Sequence, residues 1–194
     1  MFAEPVAAAC EILDQVKIPK GQPVAVLGDG KLGLLIAQVL QAHGAKVTLF
    51  GRHKEKMRLV EPMGVEGEVV RKKMPKGAFL YTVDSTGSSE GLATAIAMTE
   101  PRGTVVMKST VHGLVSIDTA VPIVNEITMV GSRCGRMEAA LPLLASGKVR
   151  VREMISEEYT LDLAPEAFER AATKGVMKVL LRPRLNNQRV IART

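Results

Sequence analysis

Short apolar runs alternate along the chain with longer segments in which apolar residues recur at helical spacing. The runs lie at residues 24–27, 46–50, 79–83, 104–107 and 127–130, and residues 65–70, which include Glu66 and Glu68, predict a further short strand. The helical segments between and after them include residues 32–43, 53–63, 89–99 and 136–145. A strand of a parallel sheet forms a continuous apolar run because helices cover both faces of the sheet. The pattern therefore predicts an α/β fold with a doubly wound, parallel, six-stranded sheet.

Segments at both ends of the chain depart from this alternation. Residues 4–15 predict a helix ahead of the first strand. Near the C-terminus, a strand at 151–155, a helix at 165–173 and a strand at 176–181 predict a short strand-helix-strand appendix. We therefore divide the chain into a lead-in helix (1–20), a sheet domain (21–148), a C-terminal appendix (149–182) and a poorly ordered tail (183–194).

The loop after the first strand carries Gly28, Gly30 and Gly33 in the spacing GxGxxG, and a helical segment follows. The first glycine permits a tight turn, the second lets a pyrophosphate approach the backbone, and the third lets the helix pack closely on the sheet. The free N–H groups of the helix start then face the phosphates. The loop therefore predicts a dinucleotide site in a Rossmann fold, with a plain β-to-α turn as the alternative. The candidate contact residues in the loop are Gly28, Asp29, Gly30, Lys31, Leu32 and Gly33.

The end of the second strand favours NADP over NAD. In such folds an Asp or Glu at this point accepts a hydrogen bond from the adenosine ribose and selects NAD. Here no carboxylate occurs until Glu55, and Gly51 leaves room where the acid would stand. Arg52, helped by His53 or Lys54, can pair with a 2′-phosphate. The alternative is that Arg52 is a surface residue and that either coenzyme is accepted.

Small polar residues follow the fourth and fifth strands. Residues 84–87, Asp-Ser-Thr-Gly, suit the close approach of a ring or ribose. Alternatively, Asp84 or Ser85 is the N-cap of the helix that follows. Lys108 is a candidate contact for phosphate, ribose or substrate, with a solvent-facing lysine as the alternative. The candidate coenzyme residues at these two strand ends are Ser85, Thr86, Lys108 and Ser109.

Composition and charge exclude several classes of protein. Hydrophobic residues make up 46% of the 194, yet no apolar run approaches the ~20 residues of a membrane span. The N-terminus shows no secretory signal, so we expect a soluble, cytoplasmic protein without a membrane partner. The net charge of +6 favours an anionic cofactor. No nucleic acid partner is expected, because the chain has no Trp, only two Tyr and no aromatic residues interleaved with its basic ones.

Two cysteines, Cys10 and Cys134, are too few for a tetrahedral zinc site. Without a secretion signal they are expected to be two reduced and mostly buried thiols rather than a disulfide.

Six ordered segments give the chain a family resemblance. They are FAEPVAAACEIL, VAVLGDGKLGLLIAQ, VDSTGSSEGL, PRGTVVMKST, NEITMVGSRCG and AFERAATKGVMKVLLRP. Together they resemble the C-terminal half of medium-chain, zinc-type alcohol dehydrogenases, up to about Pro183. In that family a GroES-like domain with the catalytic zinc precedes the coenzyme domain, and the chain returns to it at the end. The resemblance implies that this sequence is the coenzyme-binding half of a longer enzyme, through truncation or excision.

The resemblance also implies roles for individual residues. Ser132 and Arg133 resemble the loop beside the nicotinamide and the subunit contact. Glu4 matches a glutamate at or near the catalytic zinc in polyol- and threonine-dehydrogenase-like members, whose Cys and His co-ligands would lie upstream. Family members commonly form homodimers by joining sheet edges, and residues 127–130 are the candidate edge.

The implied function is hydride transfer between a small alcohol or its carbonyl and nicotinamide, with zinc polarising the oxygen in the parent enzyme. This chain supplies the site for NADP or NAD and is expected to be inactive alone. One alternative is part of a zinc-free quinone or enone reductase. Another is a stand-alone NADP-binding sensor or scaffold module, since no His, Tyr or Lys can be assigned as acid or base. Only His112 lies where substrate chemistry would reach it.

Overall fold

The computed structural model describes residues 1–111 and 113–183. His112 lies outside the described residues, and so does the predicted tail from residue 184 onward. The chain divides into two compact units, Met1–Val149 and Arg150–Thr194.

The first unit is a parallel sheet with helices on both faces. Its helices are α1 (Ala3–Gln15), α2 (Lys31–His43), α3 (Lys54–Met57), α4 (Ser89–Met98), α5 (Ala120–Val124) and α6 (Met137–Ala145). Its strands are β1 (Pro23–Leu27), β2 (Lys46–Gly51), β3 (Glu66–Val69), β4 (Phe79–Asp84), β5 (Thr99–Met107) and β6 (Thr128–Gly131). All neighbouring strands pair in parallel, in the order β3-β2-β1-β4-β5-β6.

This strand order confirms the doubly wound sheet expected from the apolar runs, since it is the order of dinucleotide-binding folds. The order reverses between β1 and β4, which places a crevice at the carboxyl ends of these strands. Strand β1 is buried from Val24 to its end, and α2 buries eight consecutive residues against the sheet. Strand β6 lies at an edge, and its residues are half-buried or exposed.

The prediction of a single helix at 53–63 is wrong. Helix α3 ends at Met57, and a separate 3-10 turn covers Glu61–Met63. Pro62 explains the break, because proline has no N–H to donate and its ring clashes with the carbonyl one turn earlier in a helix.

The expected burial of the two cysteines is half right. Both thiols are free, but only Cys10 is buried, inside α1, whereas Cys134 is exposed. Burial raises the pKa of the Cys10 thiol, and the charge of Asp14 raises it further.

The second unit contains two parallel strands, β7 (Ile155–Thr160) and β8 (Lys178–Arg182), joined through α7 (Ala164–Ala171). The strand expected at 151–155 is wrong, because a 3-10 turn occupies Arg152–Met154 and the strand begins only at Ile155. Strand β7 alternates half-buried and exposed residues over much of its length. Its exposed positions carry polar residues, so its sequence is not a continuous apolar run and did not predict a strand here.

No helix among the described residues has the length and apolar character needed to cross a bilayer.

Candidate functional site

The glycine-rich loop joins β1 to α2 in a turn that two of its glycines make possible. Gly28 has φ +109°, which disfavours any residue with a side chain, and its N–H donates to Phe50 O at 2.9 Å. A Cβ on Gly33 would lie 1.8 Å from Gly28 O, so α2 approaches the turn too closely for even a methyl group. These two glycines therefore shape the loop.

Gly30 differs from them, because a Cβ built on it would meet no atom within 4 Å. It is exposed and is the N-cap of α2, with an ordinary φ of −73°. As it has no side chain, it leaves the first-turn N–H groups of the helix without a side-chain cap. Open space over uncapped N–H groups fits a bound pyrophosphate.

Ser85 follows β4 and supports the glycine loop from beside it. Its Oγ donates to Leu27 O at 2.7 Å, and its N–H donates to the same oxygen at 2.8 Å. The candidate Ser85 therefore holds the end of β1 in place.

Asp84 is buried at the end of β4 and organises the turn after it. Its Oδ1 accepts from the N–H of Thr86 at 3.0 Å and from the Thr86 hydroxyl at 2.7 Å. Burial raises the pKa of the Asp84 carboxyl, although the hydrogen bonds from Thr86 oppose the shift. Neither Asp84 nor Ser85 is the N-cap of α4, because Ser88 is, with its Oγ accepting from Gly91 N at 3.1 Å.

The next strand end joins this turn through Ser109. Its hydroxyl accepts from the N–H of Gly87 at 2.8 Å, which links the loops after β4 and β5. Thr86 and Gly87 are exposed at the surface of the crevice, where a bound ribose or ring would lie.

Lys108 does not face solvent, so the alternative to a ligand contact, a solvent-facing lysine, is wrong. The residue is 8% exposed, and its Nζ donates to Ala8 O at 2.6 Å, Arg133 O at 2.7 Å and Ser132 Oγ at 3.1 Å. Burial lowers the pKa of this amine, opposed by the nearby charges of Glu11, Cys134 and Glu4. Since three acceptors engage the ammonium, Lys108 ties the loop after β6 to α1 and supports the candidate residues Ser132 and Arg133.

The candidate residues at the end of β2 form one network with the glycine loop. Asp29 Oδ2 accepts from the N–H of Arg52 at 2.7 Å and of His53 at 2.6 Å, and His53 Nδ1 lies 2.9 Å from it. Burial alone would raise the pKa of Asp29, but the hydrogen bonds from His53 and Arg52 outweigh it and lower that pKa. The carboxylate is therefore ionised at neutral pH.

The room expected at Gly51 is not empty. A Cβ built on Gly51 would lie 2.6 Å from Asp29 Cβ and 2.7 Å from Asp29 Oδ2. Sequence reasoning placed Asp29 in the glycine loop but missed that its side chain occupies the end of β2. The available signal was an acid within GxG together with a glycine at the end of the second strand.

Glu4 is exposed in the first turn of α1, and its charge acts on the Lys108 amine. The described residues contain no group of three or more His, Cys, Asp or Glu side chains that could hold a metal ion. The side chains described here therefore do not by themselves fit a zinc centre.

Known proteins with related sequences and structures were found. The family described as zinc-binding dehydrogenase matches residues 32–146. D-xylulose reductase A of Aspergillus oryzae is 27% identical in an alignment of 197 positions, which covers 91% of this chain and 55% of that protein. The chain thus spans about half the length of the curated relatives it matches.

Two solved structures are similar to most of this chain. One, described as a zinc-binding dehydrogenase of Sinorhizobium meliloti 1021 bound to NADP, is 28% identical and superimposes with a TM-score of 0.83 over 94% of this chain and 58% of that one. The other, L-idonate 5-dehydrogenase from Escherichia coli, is 25% identical, with a TM-score of 0.85 over 92% of this chain and 55% of that one.

Proposed function

This chain belongs to the zinc-binding dehydrogenase family, and we propose that it is the nicotinamide-coenzyme-binding part of an alcohol dehydrogenase. The observation that carries the proposal is the open space over Gly30 at the start of α2. A pyrophosphate there accepts hydrogen bonds from backbone N–H groups and lies at the positive end of the helix dipole.

The remaining coenzyme contacts follow from the strand ends around this point. The adenosine ribose lies toward Gly51, Arg52 and His53 at the end of β2, as expected for a dinucleotide fold. The nicotinamide end extends toward the exposed Thr86, with Ser85 and Ser109 holding the turn below it. Ser132 and Arg133 complete this side, held in place by hydrogen bonds from Lys108.

We assign NADP(H) as the preferred coenzyme and NAD(H) as the second. Arg52 is exposed directly after β2, where its guanidinium can pair with a 2′-phosphate through charge-assisted hydrogen bonds. The Sinorhizobium protein, whose structure matches 94% of this chain, was bound to NADP, and this supports the assignment.

The parent enzyme transfers a hydride between nicotinamide and a small alcohol or carbonyl, a substrate class supported by the relatives named for D-xylulose and L-idonate. Zinc, when bound in the parent enzyme, polarises the substrate oxygen. Glu4 is the one contribution to that centre that we propose for this chain. A homodimer formed through the edge strand β6 and a cytoplasmic location complete the proposal.

The proposal is tested by titrating the chain with NADPH and NADH and following nicotinamide fluorescence. We expect saturable binding of both coenzymes and no oxidation of alcohols by this chain alone. A titration in which neither coenzyme binds at millimolar concentration would overturn the proposal.

The assignment of NADP is tested with Arg52→Ala. Loss of one charge-assisted pair is expected to weaken NADPH binding about tenfold and to leave NADH binding nearly unchanged. Lys46→Ala, which removes an exposed cation at the opposite end of β2, is the matched control. If the ratio of the two affinities is the same in Arg52→Ala as in the unchanged chain, Arg52 does not contact the phosphate.

A further inference from the structure

Asp29 belongs to the glycine loop in sequence but to the end of β2 in space. Its Oδ2 accepts two consecutive backbone N–H groups, those of Arg52 and His53, at 2.7 and 2.6 Å. A side chain on Gly51 would collide with it, since a Cβ there would lie 2.6 Å from Asp29 Cβ. The carboxylate therefore fills the volume that a side chain at position 51 would occupy.

Position 51 is where a strand-borne acid selects between coenzymes. In dinucleotide folds such an acid accepts from the ribose 2′-hydroxyl, and its charge repels a 2′-phosphate. Here the chain has glycine on the strand and a carboxylate in the same space, supplied by the loop. Asp29 is only 8% exposed, so solvent screens its charge less than that of a surface carboxylate.

We propose that Asp29 is a specificity-determining residue whose carboxylate, supplied by the glycine loop, takes the place of the missing strand acid and opposes a coenzyme 2′-phosphate. The inference rests on the proposed function, because it concerns the ribose end of the same coenzyme site. Arg52 attracts the 2′-phosphate and Asp29 repels it. The site therefore accepts both coenzymes, and its preference for NADP is smaller than Arg52 alone would give.

A purely supporting role for Asp29 leads to the opposite expectation. The same hydrogen bonds hold the segment that carries Arg52, so loss of support would displace the guanidinium and weaken NADPH binding. Asp29→Asn separates the two roles, since asparagine keeps a carbonyl oxygen of similar position but carries no charge. Asp29→Ala removes both the charge and the support.

The test compares dissociation constants for NADPH and NADH in the unchanged chain, Asp29→Asn and Asp29→Ala, measured by fluorescence titration. We expect Asp29→Asn to shift the affinity ratio toward NADPH by about tenfold, equivalent to ~1.4 kcal/mol. An unchanged ratio, or a shift toward NADH, would overturn the proposal.

A second measurement uses the shared space directly. Gly51→Asp alone should lower the melting temperature, because its Cβ would overlap Asp29. Adding Asp29→Gly should recover it and leave a strand-borne acid that favours NADH. Failure of the second change to restore stability would contradict the steric part of the proposal. If the unchanged chain binds neither coenzyme, the proposed function is overturned, and this inference with it.

Discussion

Two alanine substitutions in the glycine loop should have opposite consequences, although they lie only three positions apart. Gly33→Ala places a methyl carbon 1.8 Å from Gly28 O, a backbone atom that cannot rotate away. Gly30→Ala places the same methyl in open space, at a φ of −73° that alanine adopts readily. The first change should therefore cost stability, and the second should cost coenzyme affinity.

The size of the stability loss follows from the overlap. A tight carbon–oxygen contact is about 3.3 Å long, so α2 and the Gly28 turn must separate by about 1.5 Å. Helix α2 is buried along the sheet, so its displacement opens packing in the core. Overpacking of this kind costs about 3 kcal/mol. For a unit of this size, each kcal/mol lowers the melting temperature by about 2–4 °C, so we expect a decrease of about 6–12 °C.

Gly30→Ala should remain within about 1 kcal/mol of the unchanged chain, which is the loss expected when alanine replaces glycine at an N-cap. In the proposed placement the pyrophosphate approaches the helix where this methyl would lie, so both NADPH and NADH should bind at least about tenfold more weakly. The assays are thermal unfolding followed by circular dichroism and fluorescence titration with each coenzyme. Unchanged coenzyme affinity in Gly30→Ala would refute the placement of the pyrophosphate, and a melting temperature unchanged by Gly33→Ala would refute the steric argument.

Four further changes test other parts of the structure. Lys108→Met should lower the free energy of unfolding by about 3 kcal/mol, because the backbone oxygens that now accept hydrogen bonds from the ammonium would lose their donor. A melting temperature within 2 °C of that of the unchanged chain, about the shift for 1 kcal/mol, would contradict this. The pKa of Asp29 lies below its ordinary value of 3.8, so its contribution to stability is complete above that pH and is lost as the pH falls through the lowered value. The stability difference between the unchanged chain and Asp29→Asn should accordingly shrink in acid, and a constant difference would argue against the hydrogen-bond network. Ser88→Ala should lower the free energy of unfolding by about 1 kcal/mol, because α4 loses its N-cap hydrogen bond. Urea unfolding measures this, and an unchanged midpoint would show that the cap does not stabilise the fold. A thiol reagent should modify Cys134 in the folded chain and Cys10 only after unfolding, as mass spectrometry of the labelled peptides would reveal; equal labelling rates would contradict the burial of Cys10.

The elements that the sequence predicted best were those whose signal is continuous. The predicted strands became the six strands of the sheet, and the central strand β1 is buried from Val24 to its end, as expected of a strand with helices over both faces. Elements that are only partly covered were predicted less well. The strand beginning at Ile155 was missed because its polar residues alternate outward, and the helix expected at 53–63 was interrupted near Pro62.

By itself the sequence determined the fold class and the position of the glycine-rich loop between β1 and α2, because strand burial and glycine spacing are recorded in consecutive residues. The tertiary structure decided which partners the charged side chains find. Asp29 meets a backbone segment 23 residues away, and the acceptors of Lys108 include one 100 residues away. Local spacing carries no information about such contacts, since they form only when the packed sheet brings distant strand ends together. For that reason the glycine at position 51 indicated an empty space, whereas in the folded chain the carboxylate of Asp29 fills it.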